Sequence, residues 1–212
     1  ADDLIRLEND LQDAETRYAQ AAEALTKARR SAAKELDALM GAELAPLKME
    51  RAVFVTLVDP GEAGPDGQDA VSFTVATNPG APAGPLNKIA SGGELSRFLL
   101  ALKVCLTRDQ SDVTMIFDEI DRGVGGATAD AVGRRLKALA SDGQVLVVTH
   151  SPQVAALGAH HWRVAKRVED GMTLSEVVPL VDQDRIDEIA RMLSGDTVTD
   201  PARAAAQALL DG

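Results

Sequence analysis

Lys88-Ile89-Ala90-Ser91-Gly92-Gly93-Glu94-Leu95-Ser96-Arg97, followed further on by Val113-Thr114-Met115-Ile116-Phe117-Asp118-Glu119, is the part of this chain that decides its fold. Ser91 and Glu94 stand at capping-box spacing ahead of the apolar residues Leu95, Phe98, Leu99 and Leu102, so a helix opens here. A helix start leaves backbone N–H groups unpaired, and Gly92 and Gly93 carry no side chain that would keep an anion away from them. The segment therefore reads as a phosphate-facing surface.

The second stretch supplies chemistry. Val113, Met115, Ile116 and Phe117 form a short buried strand of the parallel-sheet type. It delivers Asp118 and Glu119 to its C-terminal end, the edge at which open α/β sheets bind ligands. Neighbouring strand residues point opposite ways, so the two carboxylates can divide labour: Asp118 toward a Mg²⁺ shell and Glu119 toward an attacking water. A further apolar strand, Val145 to Thr149, runs into His150-Ser151-Pro152. Ser151 can cap a new helix with Pro152 at its first position, which leaves His150 at the sheet edge, able to donate a hydrogen bond to a phosphate oxygen.

In this order, Ser91-Gly92-Gly93-Glu94, the strand ending Asp118-Glu119, the turn Ile120-Asp121-Arg122-Gly123 and the pair Thr149-His150 resemble the signature motif, Walker B, D-loop and H-loop of an ABC-type ATPase head. Within that superfamily the wording resembles the RecN family, bacterial SMC-like proteins of DNA double-strand-break repair and recombination, across nearly the whole chain. The resemblance implies an α/β fold: the C-terminal part of an ABC/SMC-type ATPase head, a P-loop NTPase fold lacking its Walker A half, with an N-terminal coiled-coil helix. It implies ATP and Mg²⁺ as cofactors, with Asp118 helping to hold the metal, Glu119 as general base and His150 sensing the γ-phosphate. Ser91, Gly92, Gly93 and Glu94 would serve ATP bound by a second head, and Asp121 would sit across the same interface. Catalysis would then require a homodimer of heads.

One departure from the family pattern matters. No Gly-Lys dipeptide occurs, so the Walker A loop that cradles the β- and γ-phosphates is missing. The chain is therefore expected to be a fragment whose partner is an N-terminal Walker A half of the same protein, and to be inactive as an ATPase alone.

The first residues carry a different signal. Leu4, Leu7, Leu11, Ala14, Tyr18, Ala21, Leu25, Ala28 and Ala32 alternate by three and four among charged residues, the seam of a left-handed coiled coil. Glu35 breaks the repeat. We expect a coiled-coil arm over 1–45 and the C-terminal lobe of the head over 46–212. Within the lobe the pattern predicts a hairpin of strands 52–58 and 70–76 joined by a turn-rich 59–69, and a loop over 77–84. Helix 94–107, strand 113–118, helix 126–140 and strand 144–149 follow, then a short helix from Pro152, strands near 162–166 and 172–178, and helices near 184–193 and 201–210.

Composition narrows the function classes. A net charge of −11 and an aromatic content of 3% weigh against DNA adhesion or base stacking by this segment itself, so DNA enters only through the resemblance, as a partner of the full-length assembly. The single cysteine, Cys105, excludes a disulfide framework and reads as a buried thiol. No apolar run reaches the roughly 20 residues of a membrane span and no signal-peptide pattern opens the chain, so no membrane partner and a cytoplasmic setting, bacterial cytosol or nucleoid, are expected. Gly123-Val124-Gly125-Gly126 reads as a turn, His160-His161 lacks the ligands of a metal site, and Trp162 is expected to pack in a strand. The alternatives are a Rad50-like or other SMC-like head, or a non-catalytic coiled-coil interaction module.

Overall fold

Asp2–Leu44 form one unbroken helix, α1, because a run rich in Ala, Leu and charged residues has no Gly or Pro before Gly41 to stop it. The computed structural model describes residues 2–89, 91–107, 113–169, 171–195 and 197–212; Ala1 of the expected arm and Ala90 of the opening motif lie outside the described residues. Contacts gather into two units, Ala1–Ala45 with Met49–Ile89, and Pro46–Lys48 with Ala90–Gly212.

In the first unit, β1 (Val53–Gly64) and β2 (Gly67–Ala76) pair antiparallel, and the short β3 (Gly84–Pro85) joins the other edge of β2. The hairpin is longer than expected, for Asp59 to Asp69 is strand apart from the turn at its tip, with a register shift between Pro60 and Gly64. The reason is tertiary. Tyr18 Oη lies 3.0 Å from the carbonyl oxygens of Gly64 and Gly67 and from the N–H of Gly64, and Arg29 donates to Asp66 O at 2.7 Å and Asp69 Oδ2 at 3.0 Å. These bonds from α1 hold a Gly- and Asp-rich segment straight that local composition alone marks as loop. Burial raises the Asp69 carboxyl, but hydrogen bonds from Thr26 and Arg29, with the charges of Arg29 and Arg30, outweigh it and hold the group below its ordinary value.

The hairpin covers a stripe of α1 that includes Ala22, Thr26, Arg29 and Asp37; Asp37 accepts from the Thr56 N–H at 2.8 Å. Of the expected heptad positions, Tyr18 and Leu25 meet the hairpin tip. Leu4, Leu7 and Leu11 stay about 60% exposed.

In the second unit, α2 (Gly92–Thr107) buries Phe98, Leu100, Ala101 and Val104 and leaves Leu99 outward. Lys103 on α2 donates to Ile116 O at 2.9 Å and lies 4.7 Å over the Phe117 ring. Cys105, expected buried, is half-buried. Parallel strands β4 (Thr114–Asp118) and β5 (Gln144–Val148) pair in register from Thr114↔Gln144 to Asp118↔Val148, with α3 (Gly126–Leu139) as crossover. The short helix α4 (Pro152–Ala156) packs so close to α3 that a Cβ on Gly133 would stand 2.7 Å from Leu157 Cδ1.

An antiparallel ribbon, β6 (His161–Glu169) and β7 (Met172–Leu180), precedes α5 (Asp182–Ser194) and α6 (Asp200–Asp211). Ile189, Ala190, Ala202 and Ala206 form a core with Ala156 of α4. One face of the ribbon is open, and Trp162 there is 58% exposed rather than packed. Among the described residues no helix is long and apolar enough to cross a membrane.

Candidate nucleotide site

The parallel register brings the two strand ends side by side. Asp118 closes β4, and the Glu119 N–H extends the ladder by one bond, donating to Val148 O at 3.0 Å. His150 follows β5 directly after Thr149, and its Nε2 lies 3.5 Å from Glu119 Oε1. Both side chains are solvent-facing, at 45% exposed for Glu119 and 86% for His150, so a ligand has access to each. Glu119 has φ +50°, a left-handed backbone that costs a non-glycine residue about 1 kcal/mol or more. Its turn is closed by the Arg122 N–H donating to Glu119 O at 3.0 Å, and Arg122 also stands 3.7 Å from Glu119 Oε2.

Glu119, Asp121, Arg122, Gly123, His150 and Gln153 line an open depression of about 510 Å³. Ser151 also lines it and caps α4, accepting from the Val154 N–H at 3.4 Å with Pro152 in the first turn.

The opening of α2 is also capped as the sequence predicts, with Ser91 Oγ accepting from the Glu94 N–H at 3.4 Å. Its two glycines differ. Gly92 has open space where a Cβ would stand, while a Cβ on Gly93 would meet Gly123 O at 2.8 Å and Val124 Cγ1 at 2.9 Å. Gly93 is therefore required by the close approach of the turn after β4, and Gly92 is the glycine that leaves room in front of the helix. Gly123, at φ +76°, lies in a turn, as read from the sequence, while Gly126, at φ +53°, is the first residue of α3.

Asp121 lies inward. It is 7% exposed and accepts a short hydrogen bond from the Thr149 hydroxyl. Sequence reasoning did not single out this pairing, and no spacing signal joins the two positions. Asp118 is exposed and makes no ion pair among the described residues. No group of three or more His, Cys, Asp or Glu is placed among the described residues to hold a metal ion. Asp118 and Glu119, adjacent and exposed at the end of β4, supply the one or two carboxylates that Mg²⁺ commonly takes from a protein beside phosphate oxygens and water.

No protein-family model matches this chain. The DNA repair protein RecN of Xylella fastidiosa (strain 9a5c) is 45% identical over 210 residues, 98% of this chain and 38% of the relative, so the chain spans well under half the length of that relative. A solved structure from work on the structural biochemistry of ATP-driven dimerization and DNA-stimulated activation of SMC ATPases superposes with a TM-score of 0.60 at 16% identity, covering 81% of this chain and 99% of its own. The Smc head domain with a coiled coil and joint from Pyrococcus yayanosii gives 0.57 at 18% identity, over 91% of this chain and 34% of its own. Over nearly all of its length, therefore, the chain is similar to part of RecN, and its fold is that of an SMC head domain.

Proposed function

We propose that this chain contributes the signature, Walker B and H-loop residues of a composite ATPase site in a RecN-like protein of DNA repair. The observation that carries the reading is the meeting of Glu119 and His150 at the C-terminal ends of two paired parallel strands, with Asp118 adjacent to Glu119. Glu119 takes the proton of the attacking water, whose oxygen bonds to the γ-phosphorus as the bond to the β,γ-bridging oxygen breaks and ADP departs. His150 donates to a γ-phosphate oxygen, and its contact with Glu119 keeps base and donor on one ligand. Asp118 would help to hold Mg²⁺, which when bound neutralises phosphate charge. The open N-terminus of α2 at Ser91 and Gly92 faces the γ-phosphate of ATP held by a second head, with Glu94 in its first turn.

Two features support a composite site. This chain has no phosphate-cradling Gly-Lys loop, and it spans 38% of the relative's length, so the remaining contacts to ATP belong to other sequence. DNA repair as the biological setting rests on the relative's name. The test is ATP turnover by this chain alone, by the full-length protein, and by the two parts mixed. Turnover only where the Walker A part is present supports the reading; micromolar ATP binding and turnover by this chain alone would sink it.

A further inference from the structure

We infer that Asp121 and Thr149 form an intramolecular clamp that positions the turn carrying Glu119 and the residue His150, an inference that rests on the ATPase reading above. Asp121 and Thr149 lie 28 positions apart and belong to the turns after β4 and after β5 respectively. Thr149 Oγ1 accepts from the Ser151 N–H at 2.9 Å, and that N–H can only donate. The single hydroxyl proton of Thr149 is thereby free to go to Asp121, the acceptor it faces.

The clamp reaches the chemistry through the backbone. Asp121 O accepts from the Val124 N–H at 3.1 Å, and Glu119 O accepts from the Arg122 N–H at 3.0 Å, so the Asp121 side chain is the tether of a turn already closed on both sides. Glu119 holds a left-handed backbone inside that turn, a conformation that persists only where its surroundings over-determine it. On the other strand Thr149 immediately precedes His150. Fixing Asp121 to Thr149 thus fixes the two turns whose side chains meet at 3.5 Å. A buried carboxylate needs a partner, and Thr149 supplies one within the same chain. Asp121 is accordingly a positioning residue, turned inward, and not a contact offered to a second head.

The test uses the full-length protein with Thr149→Val, which keeps the shape and removes the hydroxyl, Thr149→Ser, which restores it, and Asp121→Asn. Hydrogen exchange without nucleotide gives a readout independent of turnover. Thr149→Val is expected to speed exchange of the amides of residues 119–124, remote in sequence from the substitution, and Thr149→Ser to return it to the wild-type rate. Thr149→Val should also lower kcat on the order of 10²-fold, the scale of a misplaced reacting group, with KM for ATP little changed, and Thr149→Ser should recover it. Unchanged exchange over 119–124 in a folded Thr149→Val protein that still turns over ATP would overturn the clamp alone. Loss of head dimerisation by Asp121→Asn with that exchange unchanged would give Asp121 to the partner interface instead. Absence of turnover in the wild-type full-length protein would remove the ATPase reading and, with it, any positioning of a base.

Discussion

His150 Nε2 stands 3.5 Å from Glu119 Oε1, each residue lying just beyond the C-terminal end of its own strand in a parallel pair. The register fixes this approach. With Asp118 opposite Val148, the residues that follow leave the sheet together, and a one-residue slip would turn either side chain to the opposite face.

Replacing Glu119 by Gln keeps the shape of the side chain and removes its basicity. In the full-length protein ATP binding is expected to persist while hydrolysis falls by about 10²- to 10⁴-fold, the usual contribution of a general base. Equilibrium binding of ATP and single-turnover hydrolysis check this, and turnover near the wild-type rate would assign the base elsewhere.

Ser91→Arg would place a bulky cation at the capped opening of α2. A full-length head carrying it is expected to load ATP normally and to fail in ATP-dependent dimerisation, because the obstruction lies where the second head's nucleotide would meet the helix N-terminus. Mixing it with a head defective only in Walker A should restore one composite site. Failure to bind ATP, or no recovered turnover from two folded partners, would show that this helix acts in its own head.

Gly93→Ala and Gly92→Ala should separate packing from ligand access. A methyl at Gly93 would meet backbone oxygen at 2.8 Å, and overpacking of this kind costs about 1–3 kcal/mol, whereas a methyl at Gly92 meets nothing within 4 Å. Faster hydrogen exchange in α2 is therefore expected for Gly93→Ala and not for Gly92→Ala. Equal effects of the two substitutions would contradict the close approach of Gly93 and Gly123.

The packing of α5 should weaken in acid in two steps. Burial first, and the charge of Arg185 second, hold His161 below the ordinary histidine value of 6.5 despite Glu188 nearby. The folded protein then binds fewer protons than the unfolded chain, so this contribution is complete above about pH 6.5 and is lost as pH falls through the lowered value. Glu188 is held below its ordinary 4.5 chiefly by its hydrogen bond from Arg191, against the cost of burial, with help from the charges of Arg191, Arg163 and His161. Its contribution is present above about pH 4.5 and is lost below that, toward the lowered value. Exchange rates of α5 amides, corrected for intrinsic pH dependence, should rise in both windows, and His161→Gln should flatten the upper one. An unaltered upper window in that variant would assign it to another group.

The chain's own sequence determined the features that depend on near neighbours. Ser91 ahead of Glu94 and Ser151 ahead of Pro152 specify helix starts, the apolar runs before Asp118 and Thr149 specify two strands, expected buried, of which Phe117 is buried while Ile116 and Val148 are more than half exposed, and the motif order carried the likeness to RecN and the SMC-type head fold. Caps and periodicities are written in adjacent residues, so they can be read there. What only the tertiary structure decided are meetings between distant segments: Gly93 against Gly123, Asp121 with Thr149, and α1 holding both sides of the hairpin tip, at Gly64 and at Asp69, in strands that composition reads as loop. The exposed Trp162 belongs with these, since a β-strand pattern marks a side chain as suited to packing and cannot say whether another layer lies over it. Each depends on which surfaces are brought together in three dimensions, and local pattern does not encode its partner.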